Sequence, residues 1–405
     1  AQSMPWLVAG RVLQGFGGGM LVGTAFACVP ELFPDTRQRL RWQLLLSAMF
    51  SVVNAIGPGL GGYLTGQFGW RSVFWLNLPL GLLALFFAWR YLPWYRPQVH
   101  VPARLDWLGA ALIVLALGGL QLFVEGLGRS AQGVSVGLGL SSLLALLALI
   151  YQERRCSAPL LPGALFTQRS MRLLFTLALL AGGVMFTLLF YLPLLLQGGY
   201  GFSPEQAGML ITPLALSITL GAMVNSRLMT RLANPNWLPL AGFTSLCCAC
   251  AALAAVGLGS RMPALAALIL LAGLGLGFVL LNLSVFTQTL AERQHLGIAT
   301  ALQQSLRLVG GLVGTALMGS LVNVLYAQRM RLALDAAGQS AAFERLRDPQ
   351  VLMSGAASLP ADWLALARTA LAQAIGAGLL LCALAALLAM WLTWRLPQVD
   401  LQARR

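Results

Sequence analysis

Lysine is absent from this chain, and charged residues of every kind are scarce. All 26 basic residues are arginine, there are 12 acidic residues and two histidines, and charged residues make up 9% of the 405 residues. About 25% of the residues of a soluble globular domain are usually charged, so the composition excludes that class of protein. Without lysine no phosphate-binding Gly-Lys-Ser/Thr run can exist, and this excludes ATP-driven transport by a P-loop in this chain.

Catalytic and metal-ligating patterns are also missing from the sequence. His100 and His295 both fall in predicted loops, and no Ser/His/Asp arrangement accompanies them. Cys247, Cys248 and Cys250 lie inside an apolar run with no histidine or carboxylate near them, which indicates small helix-packing residues and not a metal site. We therefore expect no enzyme activity, no metal and no cofactor.

The net charge of +14 does not indicate a nucleic-acid partner. The arginines stand in short clusters between apolar runs, whereas a nucleic-acid site needs one continuous basic face with interleaved aromatic residues. The clusters instead mark the ends of membrane spans.

Long apolar runs dominate the chain, which is 58% hydrophobic. A run of about 20 apolar residues is long enough to cross a bilayer as a helix. The sequence predicts eleven such spans, at 5–28, 42–64, 72–92, 107–126, 133–151, 172–196, 205–225, 237–258, 263–286, 298–323 and 367–393. This pattern predicts an all-α polytopic membrane protein, with the lipid bilayer as its surroundings.

Arginine is distributed unequally between alternate loops, and this asymmetry predicts the orientation. One set of loops holds clusters such as Arg37, Arg39 and Arg41, and the C-terminal tail ends in Arg404 and Arg405. Because basic loops remain on the cytoplasmic side, we expect a multi-pass protein of the inner (plasma) membrane whose C-terminus is cytoplasmic. An odd number of spans then places residue 1 outside.

The run 42–64 ends in a dense pattern of glycine and proline. Asn54, Gly57, Pro58, Gly61 and Gly62 recur at helical spacing. A face without large side chains lets a neighbouring helix approach closely, and proline frees one backbone carbonyl. The pattern predicts a helix that packs tightly and bends.

Three motifs in register carry a resemblance to a known family. Gly57-Pro58-x-x-Gly61-Gly62 resembles the antiporter motif in the fifth helix of drug:proton exporters of the major facilitator superfamily. The similar fourth-helix and sixth-helix motifs are Leu7-x-x-x-Arg11-x-x-Gln14-Gly15-x-Gly17-x-Gly19, with Gly19 where Ala is usual, and the segment 69–81. The resemblance is to the fourteen-helix branch of the EmrB/QacA type. It implies the major facilitator fold, with eleven of fourteen helices visible and the first three preceding residue 1.

The resemblance also implies a division of the chain. Residues 1–96 would be the remainder of the N-terminal helix bundle, 97–168 two inserted linker helices with their loops, and 169–405 the C-terminal six-helix bundle. The hydrophilic segment 324–366 is predicted to be external, with short surface helices. It is either a solvated loop or a docking surface for a periplasmic adaptor protein, which some EmrB-type exporters use.

Arg11 and Gln14 are the candidate proton-coupling residues. A buried arginine in a membrane span costs free energy and needs a partner, and Gln14 shares its helix face. In the family this arginine is thought to help control protonation of a carboxylate on another helix. The visible bundle cores offer no such acid, so we expect the coupling carboxylate in the missing helices. The alternative is a structural arginine bound by neighbouring carbonyl groups.

The substrate site is expected where aromatic surface and a few amides meet near the midplane between the bundles. Phe186 and Tyr191 in the sixth span and Asn282 and Phe286 in the ninth are the candidates. Gln303 and Arg307 in the tenth span join them, since Arg307 needs a buried partner and is either a clamp between helices or a substrate contact.

Together these features predict a secondary active exporter of drugs and other amphiphiles, coupled to protons and working by alternating access. Neutral or anionic amphiphiles are favoured over cations, because acids are scarce in the spans. Two alternatives stay open: a facilitator importer of a small metabolite, and a truncated membrane protein that does not transport.

Overall fold

The computed structural model describes most of the chain. The described residues are 3–33, 67–92, 106–126, 132–156, 163–229, 231–232, 234–256, 262–292, 295–336, 352 and 360–399, with scattered positions between 35 and 65. Much of the predicted span 42–64 lies outside them.

Helices account for nearly all of the described chain. In chain order they are α1 Met4–Leu32, α2 Ser72–Trp75, α3 Asn77–Tyr91, α4 Trp107–Gly126, α5 Gln132–Arg155, α6 Gly163–Thr167, α7 Arg169–Leu194, α8 Pro204–Met229, α9 Trp237–Ala255, α10 Met262–Leu290, α11 Leu296–Ala336 and α12 Ala361–Trp394. In the described part, eight helical stretches are long and apolar enough to cross a membrane. The prediction of an all-helical polytopic membrane protein is confirmed.

Helices α7 to α12 form a bundle that contains most of the buried core. Helix α7 packs along α11, α8 along α10, and α9 against both α10 and α12. Fully buried apolar side chains fill the space between these helices, for example Leu177, Phe243, Leu276 and Ile375. In α1 and α3, by contrast, apolar side chains such as Phe16 and Trp89 are exposed on the protein surface.

Helices α4 and α5 pair with each other through polar contacts at two levels. The Asp106 carboxylate caps α4 by accepting a hydrogen bond from the backbone N–H of Gly109 at 2.8 Å, and it accepts another from Nε2 of Gln152 on α5 at 3.3 Å. Further along, the Ser142 hydroxyl donates to the carbonyl of Ala116 at 2.6 Å. Since a cap satisfies an otherwise unpaired backbone donor, Asp106 fixes the first turn of α4 and its position beside α5.

Helix α7 ends in an irregular turn. Pro193 lies inside the helix, and a π-helical turn over Leu195–Gly199 follows it. Because proline lacks a backbone N–H donor, one carbonyl of the preceding turn loses its usual partner. The chain then adopts π-helical hydrogen bonds, which satisfy the backbone carbonyls locally. The Tyr200 hydroxyl then donates to the carbonyl of Val256 at 3.0 Å and ties this turn to the end of α9.

Two helices extend further than the spans predicted at 298–323 and 367–393. Helix α11 continues to Ala336 and α12 begins at Ala361, so both enter the segment 324–366 that was predicted to hold only short surface helices. Arg329 on α11 donates a hydrogen bond to Gln373 on α12, and Tyr326 and Met330 are buried. Polar residues suggested a loop here, but good helix formers and packing against α12 keep the chain helical.

Candidate substrate and coupling site

Arg11 and Gln14 lie together on α1. Nη1 of Arg11 donates a hydrogen bond to Oε1 of Gln14 at 3.2 Å, and the guanidinium carbon lies 4.6 Å from the centroid of the Phe74 ring on α2. The spacing of three residues places the two polar side chains on one face of the helix. A cation over an aromatic face is attracted by the quadrupole of the ring. This arrangement orients the guanidinium while leaving it donors for a further acceptor.

An open cavity of about 780 Å³ adjoins this pair. Its lining combines the two polar side chains of α1 with aromatic residues around the start of α2. The full set of lining residues is Trp6, Leu7, Gly10, Arg11, Gln14, Trp70, Arg71, Phe74, Trp75, Asn77 and Leu78. A cavity with this lining has apolar surface, two guanidinium groups and no carboxylate.

A pair of buried asparagines joins α8 to α10. Nδ2 of Asn282 donates to Oδ1 of Asn225 at 3.0 Å and to the carbonyl of Phe278 at 2.7 Å. Nδ2 of Asn225 donates to the same carbonyl at 3.1 Å. Both asparagines are fully buried. The predicted site residue Asn282 therefore lies in a polar clamp between two helices.

Helix α11 carries a second group of buried polar side chains, Gln303, Gln304 and Arg307. Their exposed fractions are 0%, 1% and 6%. Neither amide atom of Gln303 or Gln304 has a hydrogen-bond partner in the described part of the chain. Residues three and four apart are neighbours on a helix, so both glutamines lie one turn from Arg307 on the same face.

Close packing of α7 on α11 surrounds this group. A Cβ atom added at Gly182 would overlap the carbonyl oxygen of Arg307, and one added at Gly310 would overlap that of Leu179. A Cβ at Gly314 would lie 2.7 Å from the Cα atom of Gly183. These four glycines let the two backbones touch, as small residues commonly do between membrane helices. We call this contact the glycine seam.

The aromatic candidates lie elsewhere on the bundle. The Phe186 ring packs on Gly311 and stacks on Phe190 with a centroid separation of 6.4 Å. The Tyr191 hydroxyl donates to the carbonyl of Thr315 at 3.2 Å, and Phe286 is fully buried in α10. Phe186 and Tyr191 thus contact the glycine-rich side of α11, one to three turns beyond Arg307.

Three of the five antiporter-motif residues, Asn54, Pro58 and Gly62, lie outside the described residues. Gly57 and Gly61 are helical, and no described heavy atom comes within 4 Å of a Cβ added at either. Their role stays a prediction. Glu125, near the end of the predicted span 107–126, has no described side chain.

Sequence reasoning did not select Asn225, Gln304 or Phe74 as site residues. Asn225 is polar at the last position of the predicted span 205–225, and this could have marked it. Gln304 stands next to a selected residue, and Phe74 lies in the sixth-helix motif. Whether each of these three side chains contacts another polar or charged group depends on how helices from distant parts of the sequence pack together.

The charge of the bundle is one-sided. Along α7, α9 and α10 the sequence has no Asp or Glu, and in α8, α11 and α12 acids occur only near helix ends, at Glu205, Asp335 and Asp362. Among the described residues no group of three or more His, Cys, Asp or Glu could hold a metal ion. The only charged side chain buried mid-helix in the described bundle is Arg307.

Several curated proteins are similar to this chain over most of its length. Multidrug resistance protein 3 of Bacillus subtilis is 28% identical over 86% of the chain and 69% of its own length. Multidrug transporter protein MdtP of the same organism is 26% identical over 80% and 60%, and a methylenomycin A resistance protein of Streptomyces coelicolor is 29% identical over 77% and 66%. The chain thus spans about 60–69% of the length of these relatives.

A solved structure and a family model complete the comparison. A bacterial homologue of the human lysosomal transporter Spinster, solved in an inward-facing and occupied conformation, has a TM-score of 0.46 and 18% identity over 73% of this chain and 66% of that one. The family model of the Major Facilitator Superfamily matches residues 1–315. Since this match covers more than half of the chain, the chain belongs to the Major Facilitator Superfamily, and the predicted major facilitator fold is confirmed.

Proposed function

We propose that this chain is a secondary active exporter of amphiphilic compounds, of the fourteen-helix drug:proton type, that works by alternating access between two helix bundles. The observation that carries the proposal is the similarity to Multidrug resistance protein 3 over 86% of the chain. Two further relatives bear names that describe drug transport or antibiotic resistance.

The buried polar groups of the bundle support a transport role. Polar and ionisable side chains are costly inside a membrane, and where they occur they usually mark substrate or ion pathways. Gln303, Gln304 and Arg307 are all buried within α11. Transporter sites lie near the bilayer midplane, where such groups contact the substrate.

Arg11 is the proposed coupling residue. Its guanidinium is held by Gln14 and Phe74 and still has donors for an acceptor on another helix. A nearby positive charge favours the ionised form of a carboxylate. Arg11 would therefore control when a coupling acid releases its proton, and the segment that holds Gly57 and Pro58 would limit leakage. The proposed location is the plasma membrane, with the C-terminus in the cytoplasm.

A drug-accumulation assay in efflux-deficient bacteria tests this function. Cells that express the full-length protein should accumulate less of an amphiphilic dye than control cells, and Arg11→Ala should abolish the difference. The matched control is Arg395→Ala, since Arg395 also lies over an aromatic ring, that of Trp391 at 3.7 Å, but at the end of α12.

Unchanged accumulation of every amphiphile tested, with the chain present in the membrane at normal levels, would contradict drug efflux. Uptake of labelled metabolites by the same cells would then separate the importer from a protein that does not transport. Loss of export in Arg395→Ala as well as in Arg11→Ala would contradict a specific coupling role for Arg11.

A further inference from the structure

We propose that the face of α11 formed by Gln303, Gln304 and Arg307 binds the anionic head group of the transported compound. The site would select amphiphiles that carry a carboxylate, sulfonate or phosphate over amphiphiles that carry a permanent positive charge. This inference rests on the proposed export function and adds the substrate class to it.

The two glutamines of this face are buried polar side chains on adjacent positions of α11. They are 0% and 1% exposed, and none of their amide atoms has a hydrogen-bond partner in the described part of the chain. A buried polar atom without a partner costs free energy, so such groups in a native protein call for a ligand or another explanation. Two adjacent glutamines supply two N–H donor groups and two acceptor oxygens at one place.

Arg307 adds a buried positive charge to the two glutamines. A guanidinium presents five donors in a planar fork that matches the oxygens of a carboxylate, sulfonate or phosphate. The glycine seam fixes the backbone at this residue, because its carbonyl lies directly against Gly182 of α7. The backbone that carries the guanidinium is therefore fixed, and a ligand has to order only the side chain.

Acidic residues occur in the six bundle helices only near helix ends. Glu205, Asp335 and Asp362 stand near helix ends, and the sequences of α7, α9 and α10 contain no acid. In a medium of low dielectric constant a buried positive charge such as that of Arg307 attracts anions and repels cations over several ångströms. A cationic compound would meet no counter-charge from these six helices at mid-depth.

A competing role for Arg307 is a clamp that holds α11 to its neighbours. A clamp contributes to stability whatever the substrate, whereas a binding group discriminates between substrates. Charge-dependent binding therefore separates the two roles.

The experiment measures binding of three matched probes to the chain in lipid nanodiscs, with empty nanodiscs as background. Each probe is the same dansyl-labelled alkyl chain, ending in a carboxylate, a methyl ester or a trimethylammonium group. The wild-type chain should bind the carboxylate about tenfold or more tightly than the trimethylammonium probe, as expected for a charge-assisted hydrogen bond.

Variants then locate the selectivity. Arg307→Gln should weaken carboxylate binding about tenfold or more and leave ester binding nearly unchanged, and Arg307→Lys should be intermediate because it keeps the charge but loses the fork. Gln303→Leu and Gln304→Leu should weaken the carboxylate probe more than the ester. Arg329→Gln, on the same helix and bound to Gln373, is the control and should match the wild type.

Three other results would contradict the anion site, the binding role of Arg307 or the transport function. Equal or tighter binding of the trimethylammonium probe by the wild type would overturn the anion site and leave amphiphile transport standing. An equal loss for all three probes in Arg307→Gln and Arg307→Lys, with a lowered melting temperature, would identify Arg307 as a clamp. Failure of all three probes to bind the wild type would count against the proposed transport function itself.

Discussion

An amide side chain inside a lipid-embedded bundle must find its hydrogen-bond partners within the protein. Asn225 and Asn282 find most of theirs by sharing the carbonyl of Phe278 and bonding to each other, and among their amide atoms Oδ1 of Asn282 has no partner in the described residues. Gln303 and Gln304, at 0% and 1% exposure, find none within the described chain. The first pair therefore has the character of a structural clamp and the second that of a binding group.

Removing one partner of the asparagine clamp should destabilise the bundle. Asn282→Leu leaves Oδ1 of Asn225 without its donor, and we expect a loss of about 1–2 kcal/mol in the free energy of unfolding. Thermal unfolding in detergent measures it. The double variant Asn225→Leu/Asn282→Leu should lose less than the sum of the two single variants, whereas simple additivity would contradict the clamp. Asn77→Leu, at an exposed position, is the control.

Tyr200, just beyond the π-helical turn of α7, should make stability depend on alkaline pH. Burial raises the pKa of the Tyr200 phenol above its ordinary value of 10.0. The folded state then holds this proton more tightly than the unfolded state, so the contribution is complete below the unfolded pKa and is lost as pH rises through the folded one. Melting temperatures across this range should fall less steeply for Tyr200→Phe than for the wild type. Identical slopes would contradict the assignment.

Sequence reasoning located the polar residues but not their directions. Asn282, Gln303 and Arg307 could be selected because polar groups in an apolar run are costly and conspicuous. Phe186 and Tyr191 were selected for their chemistry, yet they pack against Gly311 and the carbonyl of Thr315. The direction of a side chain around a helix that is apolar on all sides depends on neighbours from distant parts of the sequence.

At the scale of elements, the glycine seam between α7 and α11 is the closest helix contact near the candidate site. Gly182 and Gly310 each lie where a Cβ atom would overlap a carbonyl of the other helix. Such a contact maximises dispersion attraction between backbones and tolerates no side chain.

Gly182→Ala tests the seam against a matched substitution. The added methyl group should force α7 and α11 apart and lower the free energy of unfolding by about 1–3 kcal/mol, as overpacking usually does. Gly208→Ala on α8 has no heavy atom within 4 Å of the new group, so it should be neutral or stabilising by up to about 1 kcal/mol through helix propensity. Thermal unfolding of both proteins gives the comparison. If the two substitutions changed the free energy of unfolding equally, direct contact between the backbones at Gly182 would be contradicted.

The sequence predicts some helix ends correctly and misses others. The predicted span 237–258 agrees closely with Trp237–Ala255, because apolar runs bounded by polar residues define both ends. The span predicted at 298–323 stops well before Ala336, the end of α11. The polar residues Gln328, Arg329 and Arg331 predicted that the span ends and the chain enters water. Only the packing of α12 beside them shows that the helix continues.

At the scale of the whole molecule, the loops predict the side of the membrane on which each end lies. A fluorescent protein fused after Val399 should fluoresce, because it folds in the cytoplasm, and a periplasmic phosphatase fused at the same point should be inactive. The reverse result would contradict the orientation proposed from the arginine clusters. Fusions in the loop between α5 and α6, which follows Arg154 and Arg155, should behave like those after Val399.

The length of α11 has a mechanical consequence. Its 41 residues extend about 61 Å, roughly twice the thickness of the hydrocarbon core. From Gly310 in the seam to Ala336 the distance along the axis is about 39 Å, so a tilt of the helix at the seam would be amplified towards Ala336. A rotation of about 10° there would carry Ala336 through roughly 7 Å, since displacement is the product of arm and angle. Because Arg329 is bonded to Gln373, α12 would move with α11, and the displacement of Ala336 would be large enough for a distance probe to follow.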